Sequence, residues 1–455
     1  MRKKFYKPPI DDDEIIEIYQ ALNAYLNNEP KKILLKAQTP SGFSLPNDDN
    51  LKMMVESRLR IIEKYRITNK EMIKRFLSTI FIAQEKITKR DLETLEFIVN
   101  NPTAKSRDLA KYLGVNYRTA RAYVNRLSNK YRLRFYSLID PTIFKLRHFV
   151  LFLTIPREAV SFVKNVLWTP FTLTINLDTF AVYERKIDGW VTFAIPNQVS
   201  VIERFKRWIV NLFRFRLITD YELQEIREIT YGMNFFLFEG RDWNLDVHKD
   251  IVSSYSFMKD HYEFLQRPEF LKYSFEKRFF TKKEFIVYTL STFDIRAPIR
   301  QLKEIIKRNF NLNVSEATIC RIKKKYRKYY YPVVRVNNIM LDGSLMVYIE
   351  PFKDSEDDME VFIRYFSNSY PLYYLAKTTD GIISFIEIPS TKLATIAYHL
   401  DAILRDNVAA YKLIPRYVNI GRRPITILAP YWDENRQYWK VPKETFSTKV
   451  TIEEI

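Results

Sequence analysis

Between residues 87 and 131, apolar side chains recur every three or four positions and two turn signals interrupt them, a pattern that predicts three short helices. Thr88 is placed to cap a helix through Val99, Ser106 to cap a second one ending before Gly114, and Asn116 to cap a third. Within that third segment, VNYRTARAYVNRL at 115–127, Val115, Ala120, Val124 and Leu127 form the stripe that a core would cover. Gly114 can supply the positive φ that a tight helix–helix turn needs. The period then changes. RLRFYSLID and RHFVLFLTI run as strands, and the following residues read as strand 148–155, helix 157–167, strands near 171–184 and 189–195, helix 198–213 and strand 215–229. This βαββαβ order predicts a ferredoxin-like sandwich, with one helical layer over an antiparallel sheet.

The whole pattern recurs, with an offset of 193 residues from Thr88 to Thr281 and of 192 from Asp188 to Asp380. ITKRDLETL at 87–95 matches FTKKEFIVY at 280–288, and VNYRTARAYVNRL matches VSEATICRIKKKY at 314–326. DGWVTFAIP at 188–196 matches DGIISFIEIP at 380–389, and GRDWNLD at 240–246 has a counterpart in PYWDENR at 430–436. The six segments of the second sandwich follow in the same order, from LMVYIEPF to AAYKLIPRY. The expected fold class is therefore α+β: a winged helix-turn-helix and a ferredoxin-like domain, used twice behind an N-terminal helical extension. The expected boundaries are an extension at 1–85, helix-turn-helix modules at 86–142 and 277–340, and ferredoxin-like domains at 143–247 and 341–430. A linker falls at 248–276 and a tail at 431–455. In the extension, helical patterns at 11–27 and 50–66 flank a loop at 39–49. That part is expected to pack on the first unit or on a partner. The two ferredoxin-like domains are expected to face each other within one chain.

Charge changes the picture. The 455 residues carry a net charge of +19, and the excess is concentrated. Residues 86–140 hold 12 Lys/Arg against 5 Asp/Glu, residues 277–337 hold 16 against 4, and the remainder is balanced. Two compact basic modules on a neutral body are the footprint of a polyanion binder. No apolar run approaches the 18 or so residues that a membrane helix needs, so no membrane partner is expected. Cys320 is the sole cysteine, so no internal disulfide or thiolate cluster can form. With no apolar stretch of signal-peptide type near the start, the expectation is a cytoplasmic, nucleoid-associated protein.

A Gly turn, the third helix NYRTARAYVNRL, a strand ending in Ile139-Asp140-Pro141 and then βαββαβ together resemble the Lrp/AsnC (feast/famine) transcription regulators of archaea and bacteria. The resemblance covers 87–240, and 280–430 more loosely. It implies a winged helix-turn-helix whose third helix docks in the DNA major groove, and a ferredoxin-like domain for ligand sensing and dimerisation. By position, the recognition helix falls on Asn116–Tyr131 and, in the second unit, on Ser315–Tyr329. The second unit has NLNVS in place of the Gly turn and lacks the Asp-Pro step.

The candidate nucleic-acid-binding residues of the first unit are Asn116, Tyr117, Arg118, Thr119, Arg121, Asn125 and Arg126. The guanidinium fork of Arg118 or Arg121 can bond guanine O6 and N7 together, and Asn125 can pair with adenine. The same residues also fit a solvated helix face without base contacts, and Thr119 also fits a hydroxyl satisfying a backbone carbonyl. In the second unit the candidates are Arg321, Lys323, Lys324, Lys325, Arg327 and Lys328. Most are ammonium point charges that suit phosphates more than base edges. Unit one thus reads as a base reader and unit two as a phosphate gripper. Tyr329, Tyr330 and Tyr331 fit packing under the wing better than base stacking. The expected partner is double-stranded DNA, the alternative is RNA or the ribosome, and self-association is expected through the ferredoxin-like domains. His148, His248, His261 and His399 have no partner at helical spacing, and no nucleophile elbow, phosphate loop or CxxC is present. On that ground no cofactor, no metal and no enzymatic activity are expected.

Overall fold

The computed structural model describes residues 5–28, 49–64, 66–68, 73, 77, 87–131, 133–177, 186–239, 242–245, 255–256, 259–276, 278–337, 339, 341, 343–352, 356–416 and 423–447. Residues 39–48 of the predicted loop at 39–49 and His248 lie outside these residues, and position 49 already belongs to a helix. In the extension, α1 (Asp13–Leu26) and α2 (Asp49–Lys64) build a core of their own from Ile15, Leu22, Leu59 and Ile62. Asn23 ties the chain start to it, accepting from Tyr6 N and donating to Tyr6 O, each at 2.8 Å. The apolar faces of the two helices cover each other.

Unit one begins with α3 (Lys89–Asn100), α4 (Ser106–Leu113) and α5 (Tyr117–Tyr131), followed by β1 (Arg134–Leu138). Thr88 accepts from Asp91 N at 3.1 Å, which fixes the start of α3. Ser106 is the first helical residue of α4, not its cap. The carboxylate of Asp108 does the capping, accepting from Lys105 N at 2.8 Å. Gly114 ends α4 at φ 62°. The sandwich follows as β2 (Leu146–Pro156), α6 (Val160–Leu167), β3 (Thr172–Leu177), β4 (Lys186–Pro196), α7 (Val199–Arg214) and β5 (Asp220–Met233). Two short strands, β6 (Phe238–Glu239) and β7 (Asp242–Trp243), form a hairpin, and β8 (Leu271–Lys272) pairs with β5. Unit two repeats the order as α8 (Lys282–Phe293), α9 (Ile299–Phe310), α10 (Glu316–Lys325) and β9 (Tyr331–Arg335). Its sandwich is β10 (Gly343–Glu350), α11 (Glu356–Ser369), β11 (Leu372–Thr378), β12 (Ile382–Ile388), α12 (Leu393–Asn407) and β13 (Ala410–Arg416). A last hairpin joins β14 (Trp432–Asp433) to β15 (Tyr438–Trp439).

Each sheet has the ferredoxin-like order, β5-β2-β4-β3 and β13-β10-β12-β11. The period-2 alternation of β2 shows what each face meets. Phe149, Leu151, Leu153 and Ile155 point into the core under α6 and α7, whereas Val150 and Phe152 point to the other sheet. There Phe152 meets Tyr348 at 5.4 Å and Trp190 meets Phe385 at 6.5 Å between ring centroids. The two sheets therefore face each other within one chain. Strand β5 also joins them at an edge: its first half pairs with β2, and from Ile226 onward it pairs with β11.

The helix-turn-helix modules are exchanged across this sandwich. Leu95, Leu127 and Tyr131 of unit one share a core with β10, α11 and α12 of unit two. Phe285, Tyr288 and Ile322 of unit two share a core with β2 and α7 of unit one. The hairpins follow suit. Trp243 donates its indole N–H to Ile339 O at 2.6 Å, just before β10, and Trp439 donates to Phe144 O at 2.8 Å, just before β2. By its partner the counterpart of Trp243 is Trp439, which corrects the sequence match to Trp432, the tryptophan of PYWDENR. Each wing is one strand, and the two wings pair with each other: β1 runs antiparallel to β9 from Arg134↔Arg335 to Leu138↔Tyr331. No helix among the described residues is long and apolar enough to cross a membrane.

Candidate nucleic-acid interface

The third helix of unit one is held by its apolar stripe. Ala120 and Leu127 are buried, and Val115 and Val124 pack beside them. Asn116 Oδ1 accepts from Thr119 N at 2.8 Å, so its side chain is occupied in capping α5. Tyr117, Arg118, Arg121, Ala122 and Asn125 are exposed, while Thr119 is half-buried. Arg118 and Arg121 make no hydrogen bond or ion pair among the described residues, and between them stand only small side chains. Arg126 differs from them. Its guanidinium is paired with the carboxylate of Asp91, a residue 3% exposed on α3, and lies 5.3 Å from the Tyr123 ring centroid. That pair is an internal strut between α3 and α5, so Arg126 leaves the set of free cations. The sequence carries a signal for it: Asp91 falls on the stripe of Thr94, Leu95 and Ile98, and an acid on a buried face requires a cation.

In unit two, Ile319, Ile322 and Tyr326 are buried and hold α10 against α8 and α9. Ser315 Oγ accepts from Thr318 N at 3.2 Å and caps it. The glycine missing before this helix is replaced by Asn311, at φ 50° after α9. Arg321, Lys324 and Arg327 are exposed and make no hydrogen bond or ion pair among the described residues. Lys325 is paired with Glu284 at 2.5 Å and so braces α10 to α8. Lys328 lies 5.0 Å from the Tyr329 ring centroid. Lys323 is half-buried, and burial holds its ammonium below the usual lysine range. The three tyrosines pack rather than project: Tyr329 donates to Glu276 at 3.3 Å, and Tyr331 to Glu269 O at 2.6 Å.

The modules are fixed to each other by a residue that sequence reasoning missed. Arg296, in the α8–α9 turn, donates to Pro102 O at 3.1 Å and Ala104 O at 2.9 Å in the α3–α4 turn of unit one. Its guanidinium also lies 3.5 Å from the centroid of Phe135 on β1, and Ile295 N donates to Phe135 O at 2.9 Å. Burial lowers the pKa of Arg296, with Asp294 acting in the opposite sense. Because β1 and β9 are antiparallel, α5 and α10 reach the ribbon from its opposite ends. Elsewhere, His148 Nδ1 is 3.0 Å from Tyr273 Oη, and Asp140 of the Asp-Pro step accepts from Ser274 N at 2.7 Å, which fastens the linker.

Two helix-turn-helix modules, each leading into a ferredoxin-like sheet under its own helices, define one two-part fold carried twice in one chain. Among solved structures the chain is similar to the siroheme decarboxylase NirDL, at 13% identity and a TM-score of 0.40, over 74% of this chain and 96% of that one. The co-complex of NirDL with an iron-uroporphyrin III analogue gives 14% identity and a TM-score of 0.38, over 76% and 91%. PH0061 gives 15% identity and 0.23, over 31% and 94%. No protein-family model and no curated protein matches the chain. These likenesses speak to the fold alone, and they correct one expectation. The chain was expected not to be an enzyme, yet the similar structures include a decarboxylase. Missing sequence motifs do not by themselves exclude catalysis, because fold does not fix function.

Proposed function

We propose that this chain binds double-stranded DNA and acts as a transcription regulator, with α5 reading base edges and α10 gripping phosphates. The observation that carries the reading is the pair Arg118 and Arg121: both are exposed, neither has a hydrogen-bond or ion-pair partner among the described residues, and only small side chains stand between them at the start of a helix that follows a tight turn. In this docking mode the first turns of the third helix enter the major groove, where a planar fork can meet O6 and N7 of guanine. Arg321, Lys324 and Arg327 support the second half of the reading, since exposed cations without a hydrogen-bond or ion-pair partner among the described residues can meet the phosphates of the duplex backbone. The fixed relation of the modules through Arg296 and the β1–β9 ribbon makes one chain a pseudo-dimer that meets two unequal half-sites. Size-exclusion of the protein with a randomised duplex pool, followed by sequencing of the retained fraction, tests this. The reading expects an enriched motif with one information-rich half. Retention without any motif would remove base reading, and preferential retention of folded RNA would move the partner to RNA or the ribosome.

A further inference from the structure

A cleft of about 580 Å³ lies between the two helix-turn-helix modules. One wall is the α3–α4 turn of unit one, with Pro102 and Thr103; the other is the end of α10, with Lys323 and Lys324, and the turn after it, with Arg327; Arg296 sits at their junction. Four cations thus converge on one opening. Arg296 is spent on the carbonyls of Pro102 and Ala104. Asp294, the carboxylate that acts on both Arg296 and Lys323, is itself held in the turn, accepting from Arg296 N at 2.9 Å. Lys323, Lys324 and Arg327 have no hydrogen-bond or ion-pair partner among the described residues. Lys323 is half-buried, so its charge is partly stripped of water, and Asp294 offsets that only in part.

We infer that this cleft is a phosphate site built for several adjacent anionic oxygens. Lys323 and Lys324 on the last turn of α10 and Arg327 in the turn after it all line the cleft, and two ammonium groups and a guanidinium fork suit the crowded charge of a polyphosphate. That chemistry has two sources, the polyphosphate of a free nucleotide and consecutive phosphates of a duplex. Only the second rests on the DNA reading above. Filling the cleft also ties α10 to the α3–α4 turn, so an anion there strengthens the contact between the modules.

The test uses the full chain and inorganic tripolyphosphate, with sulfate at matched ionic strength as the control. Two readouts are followed: the thermal midpoint, and the rate at which an anionic disulfide reagent modifies Cys320, the exposed sole cysteine one turn before Lys323. Tripolyphosphate is expected to raise the midpoint saturably and to slow the modification, beyond any effect of sulfate. Lys323→Gln and Arg327→Gln should each weaken this binding about tenfold, the cost of one charge-assisted contact. Lys206→Gln, on the exposed face of α7, should leave it unchanged. Lys323→Gln removes a poorly solvated charge and should fold; Arg327→Gln gives an independent exposed site if it does not. A duplex that displaces tripolyphosphate assigns the site to the backbone, and simultaneous binding of both assigns it to a free nucleotide. No saturable response beyond sulfate, or one that both cleft variants retain, overturns the inference. Because the tripolyphosphate arm contains no DNA, its result stands whether or not the duplex is bound.

Discussion

Two turn residues show how one fold requirement is met by different chemistry. Gly114 and Asn311 occupy the same place, each in the left-handed region between the second and third helices, at φ 62° and 50°. Glycine adopts that region without steric cost, and asparagine is among the few other residues that tolerate it. A Cβ at Gly114 would meet nothing within 4 Å, so any penalty there is conformational. Gly114→Ala should therefore cost about 1 kcal/mol in chemical denaturation, while Asn311→Gly should be close to neutral. An equal loss from both would show that contacts, not backbone strain, set these turns. The Gly114 turn is legible from sequence. Its partner in unit two is not, because NLNVS holds two asparagines and pattern alone does not say which one turns. The struts Arg126–Asp91 and Lys325–Glu284 were hidden for another reason: spacing along one helix cannot reveal a carboxylate 35 or 41 residues away.

At the scale of elements, α8, α10 and β9 close around tyrosines. Tyr288, Tyr326 and Tyr329 are buried, with Tyr330 packed against them; burial pushes the Tyr330 phenol from 10.0 to about 12 and also raises Tyr288 and Tyr326. The sign follows from linkage. A phenol raised in the folded state contributes its full stability below the unfolded value of 10.0 and loses it as pH rises through the folded value of about 12. Between those limits unfolding should accelerate, and tyrosinate absorbance from these residues should appear together with loss of helical circular dichroism. Ionisation of all tyrosines below pH 10 with the helices intact would contradict the packing. The order of helices and strands could be read from periodicity where a face is solvated, as in the striped helices α5 and α9, and from short apolar runs where it is not, as in β10 and β12, which are buried almost throughout. What periodicity could not give is the partner across the molecule. Leu127 looks like any core leucine, yet it packs with the second unit's sandwich, and β5 looks like one strand although it serves two sheets.

In the whole molecule, duplication, exchange and edge pairing turn two weakly similar units into a single pseudo-symmetric body. The sandwich fixes where the modules stand, and the Arg296 contact and the β1–β9 ribbon fix how they are turned. The charge windows were legible at once, because charge needs no partner to be counted. The division between reader and gripper rests on side-chain geometry, and its most direct test is the salt dependence of duplex affinity for the parent chain, Arg121→Ala and Lys324→Ala. With about six phosphates contacted, log K for the parent should fall against log salt with a slope of roughly −5. Arg121→Ala should keep that slope, lose about 1–3 kcal/mol on the preferred duplex and relax preference at one base position. Lys324→Ala should weaken all duplexes alike and shallow the slope by about one unit. A parent slope near zero, or two variants acting identically on every duplex, would contradict the account.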